Sequence, residues 1–237
     1  MKKLIIIPAY NEALNIERVV NNLIQNYSEY DYIIVNDGST DHTAEICRKN
    51  KYNLLDLPIN LGLTGAFQAG LKYAKRNGYD CAIQFDGDGQ HRAEYIEPIL
   101  KELQKGNNIV IGSRFVTEKK PHTMRMLGSR FISFAILLTT HKKISDPTSG
   151  MRMFDKKMIN LFASNLNFSP EPDTVSYLIK CGAKVSEIQT SMDERIAGES
   201  YLTFVRSISY MFRVGISILL IQKFRKKEII EDVEEVQ

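Results

Sequence analysis

The chain has 237 residues, 43% hydrophobic and 25% charged, with a formal net charge of +3. This is the length of one large domain with a sizeable core, or of a domain with a small appendage; the composition is that of a folded soluble chain, and the charge is too small to argue for a nucleic-acid partner. Cys47, Cys81 and Cys181 are far apart and match no metal-ligand spacing, so they are expected to be buried free thiols in a reducing compartment.

The N-terminus, MKKLIIIPAYNE, offers four apolar residues before Pro8. A secretion signal needs about 7–15, so a cytoplasmic location is expected. Apolar runs at 3–7, 32–36, 53–57, 81–85 and 108–112 predict five strands. Between the first two, Ile16, Val19, Val20, Leu23, Ile24 and Tyr27 recur at helical spacing. Ser39 or Thr40 is placed to cap a second helix, and residues 65–78 predict a third that ends on Gly78. Strands apolar throughout, alternating with helices, imply a mostly parallel sheet covered on both faces.

Ligands of such sheets bind beyond the carboxyl ends of the strands. The polar segments fall there: PAYNE (8–12), NDGSTD (36–41), NLGLTGA (60–66), DGDGQH (86–91) and GSRF (112–115) each follow a strand. Asp86 and Asp88 repel one another unless a cation sits between them. Hard carboxylate oxygens beside glycines suit Mg²⁺ or Mn²⁺, with Gln90 as a third oxygen donor. The bland reading of D-x-D is a solvated turn, outweighed here by the four other polar strand ends. Asp37 stands where a carboxylate meets a nucleobase or ribose, with Tyr10 and Glu12 lining the same pocket; Glu12 is otherwise a helix-start carboxylate. A dinucleotide G-x-G-x-x-G is absent after the first strand, as is a P-loop.

PAYNE, NDGSTD, DGDGQH, GSRF, DPTSGMR (146–152) and the R-x-x-G-x-S of 195–200, in this order over residues 3–200, resemble the family 2 glycosyltransferases, and most of all the dolichyl- and polyprenyl-phosphate sugar synthases. The resemblance implies a GT-A fold, a nucleotide-diphosphate sugar donor and inversion at the anomeric carbon. It implies that Pro8, Tyr10, Glu12 and Asp37 hold the nucleotide, that Asp86, Asp88 and Gln90 form the metal–diphosphate unit, and that Arg195 clamps the diphosphate. Asp173 then stands where relatives with sugar acceptors place a catalytic base, with Glu171 the weaker candidate. A phosphate acceptor, already anionic, needs no base. A sugar nucleotidyltransferase would want a Gly-rich basic loop after the first strand, which PAYNE is not.

Arg114, Arg125 and Arg130 flank the loop after the fifth strand and suggest a phosphate-bearing acceptor, with Ser149 of DPTSGMR at the same site. A solvated basic face is the alternative. No apolar run approaches the roughly 20 residues of a membrane span. In the last predicted helix, about 201–224, Thr203, Arg206, Ser209, Arg213 and Ser217 form a polar stripe beside a wide apolar face, followed by KFRKK. That pattern suits a helix in an anionic membrane interface, or one packed on its own domain or on a small membrane partner.

The expected organisation is a catalytic domain over 1–200, with a nucleotide-sugar half (1–115) and an acceptor half (116–200), then an amphipathic helix and charged tail (201–237). The leading function is a metal-dependent inverting transferase acting on a polyprenyl phosphate or lipid-linked saccharide, as a peripheral protein on the inner face of the cell membrane. Two alternatives stand beside it: extension of a polysaccharide with Asp173 as base, and a non-catalytic nucleotide-sugar-binding subunit of a membrane complex. A homo-oligomer is compatible with each.

Overall fold

The structure, a computed structural model, describes residues 1–165, 171–194, 204–221 and 224. Seven strands form one sheet: β1 (Lys3–Ala9), β2 (Asp31–Asn36), β3 (Leu54–Asp56), β4 (Cys81–Gln84), β5 (Ile109–Ser113), β6 (Arg152–Asp155) and β7 (Val185–Gln189). Their order is β3-β2-β1-β4-β6-β5-β7. All neighbours run parallel except β6, which is antiparallel to both β4 and β5.

The uniformly apolar first strand is explained by its two covered faces. Leu4 and Ile6 point to one side, Ile5 and Ile7 to the other, as the two-residue period of a strand requires. On the first side lie α3 (Gly62–Arg76), α5 (Met124–Thr140), α6 (Lys156–Ser164), α7 (Pro172–Lys180) and α8 (Phe204–Ile216). On the second lie α1 (Ile16–Asn26), α2 (Thr43–Lys49) and α4 (Ile96–Leu103). Within α1, Ile16, Val19, Val20 and Leu23 are buried, while Ile24 is exposed at the stripe's margin.

All five predicted strands form, and two more join them. β6 is four residues long, opens on an arginine and follows a polar turn, so its sequence carries no strand period. The second helix is capped differently from expectation. Neither Ser39 nor Thr40 caps it; the Asp41 carboxylate accepts from the Thr43 amide (2.9 Å), while Ser39 and Thr40 are bonded to Asn11. The third helix begins three residues earlier than predicted and closes as expected: Gly78 adopts φ +69°, and the amides of Gly78 and Tyr79 return to Lys75 and Ala74 carbonyls.

Burial raises the thiol pKa of Cys47 to about 11 and of Cys81 to about 12; Cys181, expected to be buried, is only partly so. The terminal helix α8 passes into a π-helical turn over Ser217–Ile221. Met211, Val214 and Ile218 sink into the core shared with α5 and α7. Ser217, a member of the expected polar stripe, donates to Asp173. Thr203 lies outside the described residues. No helix among the described residues is long and apolar enough to cross a membrane.

Candidate active site

The carboxyl ends of β1, β2, β4 and β5 share one rim of the sheet. Because β6 runs the other way, the turn that precedes it, DPTSG, lies on that rim too. β1 lies between β2 and β4, so the chain's course reverses at the β1–β4 crevice, the place where open α/β sheets bind ligands.

The loops on this rim are tied together by backbone-directed hydrogen bonds. Asn11, at φ +57°, accepts from the Thr40 amide (2.9 Å), and its own amide donates to Ser39 Oγ (3.0 Å). The Glu12 amide donates to Thr43 Oγ1 (2.9 Å) and the Ala13 amide to Asp41 (3.1 Å). Burial alone would raise the Asp41 pKa, but the bonds it accepts from Thr43 and from the Ala13 amide outweigh this and hold the carboxyl below its ordinary range.

Asp86 and Asp88 sit at the head of the crevice. Asp88 is nearly buried, and its Oδ1 accepts from the Gln90 amide (2.9 Å). Asp86 Oδ1 accepts from Gln84 Nε2 (3.0 Å), while the Asp86 amide donates to His91 Nδ1 (3.0 Å). A ring nitrogen that accepts is unprotonated, so the imidazole proton belongs on Nε2. That Nε2 is buried without a hydrogen-bond partner and faces Asp86 Oδ2 at 3.5 Å. Across the crevice Gly150 closes on the same carboxylate: a Cβ there would fall 2.9 Å from Asp86 Oδ2.

His91 and Arg152 lie within the DGDGQH and DPTSGMR motifs, and the sequence alone assigns neither a role. The guanidinium of Arg152 is buried, donating from Nε to the Ser149 carbonyl (2.8 Å) and from its terminal nitrogen to the Pro147 carbonyl. Burial pulls its pKa down; Tyr210 and the carboxylates of Asp146, Glu171 and Asp86 push it up. A buried cation thus acts on Asp86 among other carboxylates. Only the DPTSGMR motif pointed toward it in sequence.

This arrangement fits a divalent ion that shares its ligands with a donor. The side-chain donors are two carboxylates, hard oxygens with no thiolate. No cluster of three or more His, Cys, Asp or Glu side chains able to hold a metal occurs among the described residues. An ion here would draw its remaining oxygens from a diphosphate and water, as Mg²⁺ and Mn²⁺ do. The orphaned Nε2–H and the glycine gap leave Asp86 Oδ2 the oxygen not taken by Gln84. Gln90, the third expected ligand, donates its side-chain amide to the Asp193 carbonyl (3.3 Å), and the Asp193 amide donates to the Gln90 carbonyl (2.9 Å). The segment leading to Arg195 is therefore stitched to the acidic loop; Arg195 itself lies outside the described residues.

Of the expected nucleotide residues, Pro8 is buried within β1 and accepts from the Gly87 amide. Tyr10 is half-buried at the strand's end. Glu12 is buried and accepts from Asn15 Nδ2 (2.8 Å). Asp37 is buried, which raises its pKa, and its Oδ1 accepts from the Leu61 amide (2.7 Å) at the start of α3. Gly38, at φ +64°, lets the two loops meet: a Cβ there would lie 2.7 Å from Asn60 N.

In the acceptor half, Arg114 forks onto the fully buried Asp146, Nε to Oδ2 at 2.7 Å and a terminal nitrogen to Oδ1 at 3.0 Å. Arg130 donates to the Lys120 carbonyl (2.7 Å), and Ser149 donates to the Gly112 carbonyl. Arg125 lies in α5, its side chain outside the described residues. Glu171 accepts from Thr64 Oγ1 (3.0 Å) and is a hydrogen-bond partner of Tyr210. Asp173 accepts from Ser217 Oγ (2.8 Å) and from the Thr174 amide (2.9 Å). Both acidic residues of the EPD turn are thus bonded to the terminal helical segment.

With this geometry established, comparisons with known proteins give one consistent answer. The model for glycosyl transferase family 2 matches residues 4–162. The chain is 34% identical over 186 residues to the UDP-N-acetylglucosamine–dolichyl-phosphate N-acetylglucosaminyltransferase of Methanococcus voltae, covering 68% of this chain and 72% of that one. It is 26% identical over 227 residues to the polyprenol monophosphomannose synthase of Mycolicibacterium smegmatis, covering 90% and 86%. A glucosyl-3-phosphoglycerate synthase of Mycobacterium tuberculosis, solved with Mn²⁺, UDP-glucose and phosphoglyceric acid, superposes with a TM-score of 0.68 at 16% identity, covering 95% and 80%, and so shares the GT-A fold. Sequence, rim and fold agree that the chain belongs to glycosyl transferase family 2, in the branch of polyprenyl-phosphate sugar synthases.

Proposed function

We propose that this chain is a divalent-metal-dependent, inverting glycosyltransferase that moves a sugar from a nucleotide-diphosphate donor to a polyprenyl phosphate or lipid-linked saccharide at the inner face of the cell membrane. The observation that carries the proposal is the acidic pair at the β1–β4 crevice, with His91, Gly150 and Arg152 arranged around it.

Asp86 and Asp88 would hold the Mg²⁺ or Mn²⁺, whose charge stabilises the departing nucleoside diphosphate. Arg152 supplies positive potential felt at Asp86, and His91 orients Asp86. Asp37, Tyr10, Glu12 and Pro8 bound the nucleotide end. In the transfer, an acceptor oxygen forms the bond to the anomeric carbon from the face opposite the diphosphate while the carbon–diphosphate oxygen bond breaks. Both Asp173 oxygens already accept hydrogen bonds, from Ser217 and Thr174. A phosphate acceptor, anionic at neutral pH, asks no base of Asp173, and this favours it over a sugar hydroxyl. The relatives named for dolichyl phosphate and polyprenol point the same way.

The test is incubation of purified protein and membranes with labelled nucleotide sugars, followed by lipid extraction. One label is expected in the lipid fraction, and Asp88→Ala is expected to lower transfer by at least about 100-fold with an unchanged circular dichroism spectrum. An Asp88→Ala variant of normal activity would remove the metal role. Near-normal turnover of Asp173→Asn fits a phosphate acceptor; loss by several orders of magnitude would assign a hydroxyl acceptor and a base instead. Absence of both transfer and donor hydrolysis would leave a binding subunit.

A further inference from the structure

Periodicity marked only the terminal helix as a membrane element, but the structure joins it to α5. Leu127, Phe131, Phe134 and Leu138 of α5 are all exposed and fall at intervals of four, three and four, one stripe along the helix. The opposite side of α5, with Ile132, Ala135 and Ile136, is fully buried. On the terminal segment, Phe212, Ile216 and Leu220 are exposed while Met211, Val214 and Ile218 face the core. The two stripes meet where the Phe131 and Phe212 rings lie 6.1 Å apart. Glycines make the junction close: Gly128 sits under Met211 and Gly215 under Phe131, neither with room for a Cβ.

A contiguous exposed apolar surface of this kind marks an interaction site. Its charge identifies the occupant. Residues 119–145 carry six Lys or Arg and residues 201–227 another six, with no Asp or Glu in either. Exposed cations, among them Lys119, Lys143 and Arg213, accompany the apolar stripes. A second copy would set these cations against the same cations, whereas an anionic lipid surface neutralises them. Each helix has one face committed to the core, so the pair can lie in the interface and cannot traverse it.

We propose that α5 and the terminal helix together form one platform that beds into an anionic bilayer, with the stripes through Phe134 and Phe212 entering the headgroup–acyl boundary. The inference deepens the lipid-acceptor reading and rests on it. The same two helices border the acceptor half: Lys120 of the β5–α5 loop reaches Ser129 and Ser133 of α5, and Tyr210 and Ser217 bond the EPD carboxylates. A phosphate held at the lipid surface would thus present itself at the rim.

The chain contains no tryptophan, so Phe134→Trp installs the only tryptophan on the surface, excited selectively over the tyrosines, and Ile24→Trp on α1 provides a control on the sheet's other face. With phosphatidylglycerol-rich vesicles lacking any prenyl phosphate, Phe134→Trp emission is expected to shift to the blue and be quenched by brominated acyl chains. High salt or pure phosphatidylcholine should weaken the shift, and the control should stay unchanged. Adding Leu138→Glu should weaken partition by about tenfold or more. Emission from Phe134→Trp already blue-shifted without vesicles would overturn the proposal, because protein would then cover the surface. So would the absence of any shift on either vesicle. Vesicle binding without sugar transfer to added prenyl phosphate would uphold the platform and defeat the lipid-acceptor reading, so the two fail separately.

Discussion

His91 stabilises the acidic loop through two atoms of one neighbour, accepting from the Asp86 amide and presenting Nε2 toward the Asp86 carboxylate. It also packs edge-on against Phe85, ring centroids 5.6 Å apart. Residues that orient a metal's ligands typically change affinity by about 10–100-fold when removed. His91→Ala is therefore expected to raise the Mn²⁺ concentration for half-maximal activity by about tenfold or more, with most of the rate restored at saturating metal; an unchanged metal titration would make the ring a packing element only. Arg114 acts at the same scale for stability. Its fork neutralises a carboxylate with no exposed surface, and removing one partner of a buried pair costs about 3–5 kcal/mol. Burial raises the Asp146 pKa, but the bonds and charge of Arg114 overcome it, leaving the carboxyl below its ordinary value. Its stabilisation is thus complete above the unfolded carboxylate value near about 4 and is lost as pH falls through the lower folded value. Urea unfolding followed from neutral pH into this acid window should show the loss in wild type and a flatter profile in Asp146→Asn.

At the level of elements, the terminal helix is held by glycine notches and by its bonds to Glu171 and Asp173. Gly128→Leu would drive a side chain into Met211; overpacking of this kind costs about 1–3 kcal/mol. The helix is expected to loosen, with faster amide exchange over residues 209–221 and slower sugar transfer, while donor binding at the far end of the crevice is kept. Combining it with Met211→Ala should restore protection. If Gly128→Leu leaves exchange unchanged, the close approach is not what seats the helix. The antiparallel β6 matters at this scale too. Its direction carries Ser149, Gly150 and Arg152 to the rim, although this motif precedes its strand while the others follow theirs.

Across the whole molecule, most of the site's polar groups, His91 Nε2 excepted, are bonded within the protein: Asp88 to Gln90, Asp37 to Leu61, Asp86 to Gln84, Arg152 to carbonyls. Such a rim should remain folded without metal. Chelation by EDTA is expected to abolish transfer yet move the melting temperature little. Metal and nucleotide diphosphate together should raise it, since a ligand at 100 times its Kd adds about 2.7 kcal/mol. Melting curves with metal alone, nucleotide alone and both would check this, and a large fall on chelation alone would mean the ion is structural.

The sequence by itself determined the strand–helix alternation, the covered sheet and the rim on which the motifs lie, because apolar periodicity and loop position are local properties of the chain. It made the acidic pair and the family resemblance legible for the same reason: Asp86 and Asp88 are two residues apart. Tertiary structure alone decided which charges answer which. Arg114 and Asp146 are 32 residues apart, Ser217 and Asp173 are 44 apart, and Arg152 acts on Asp86 only because β6 inserts antiparallel between β4 and β5. It also decided that the stripe on α5 and the stripe on the terminal helix form one surface. Partnership between distant segments depends on which faces the core leaves free, and no local pattern records that.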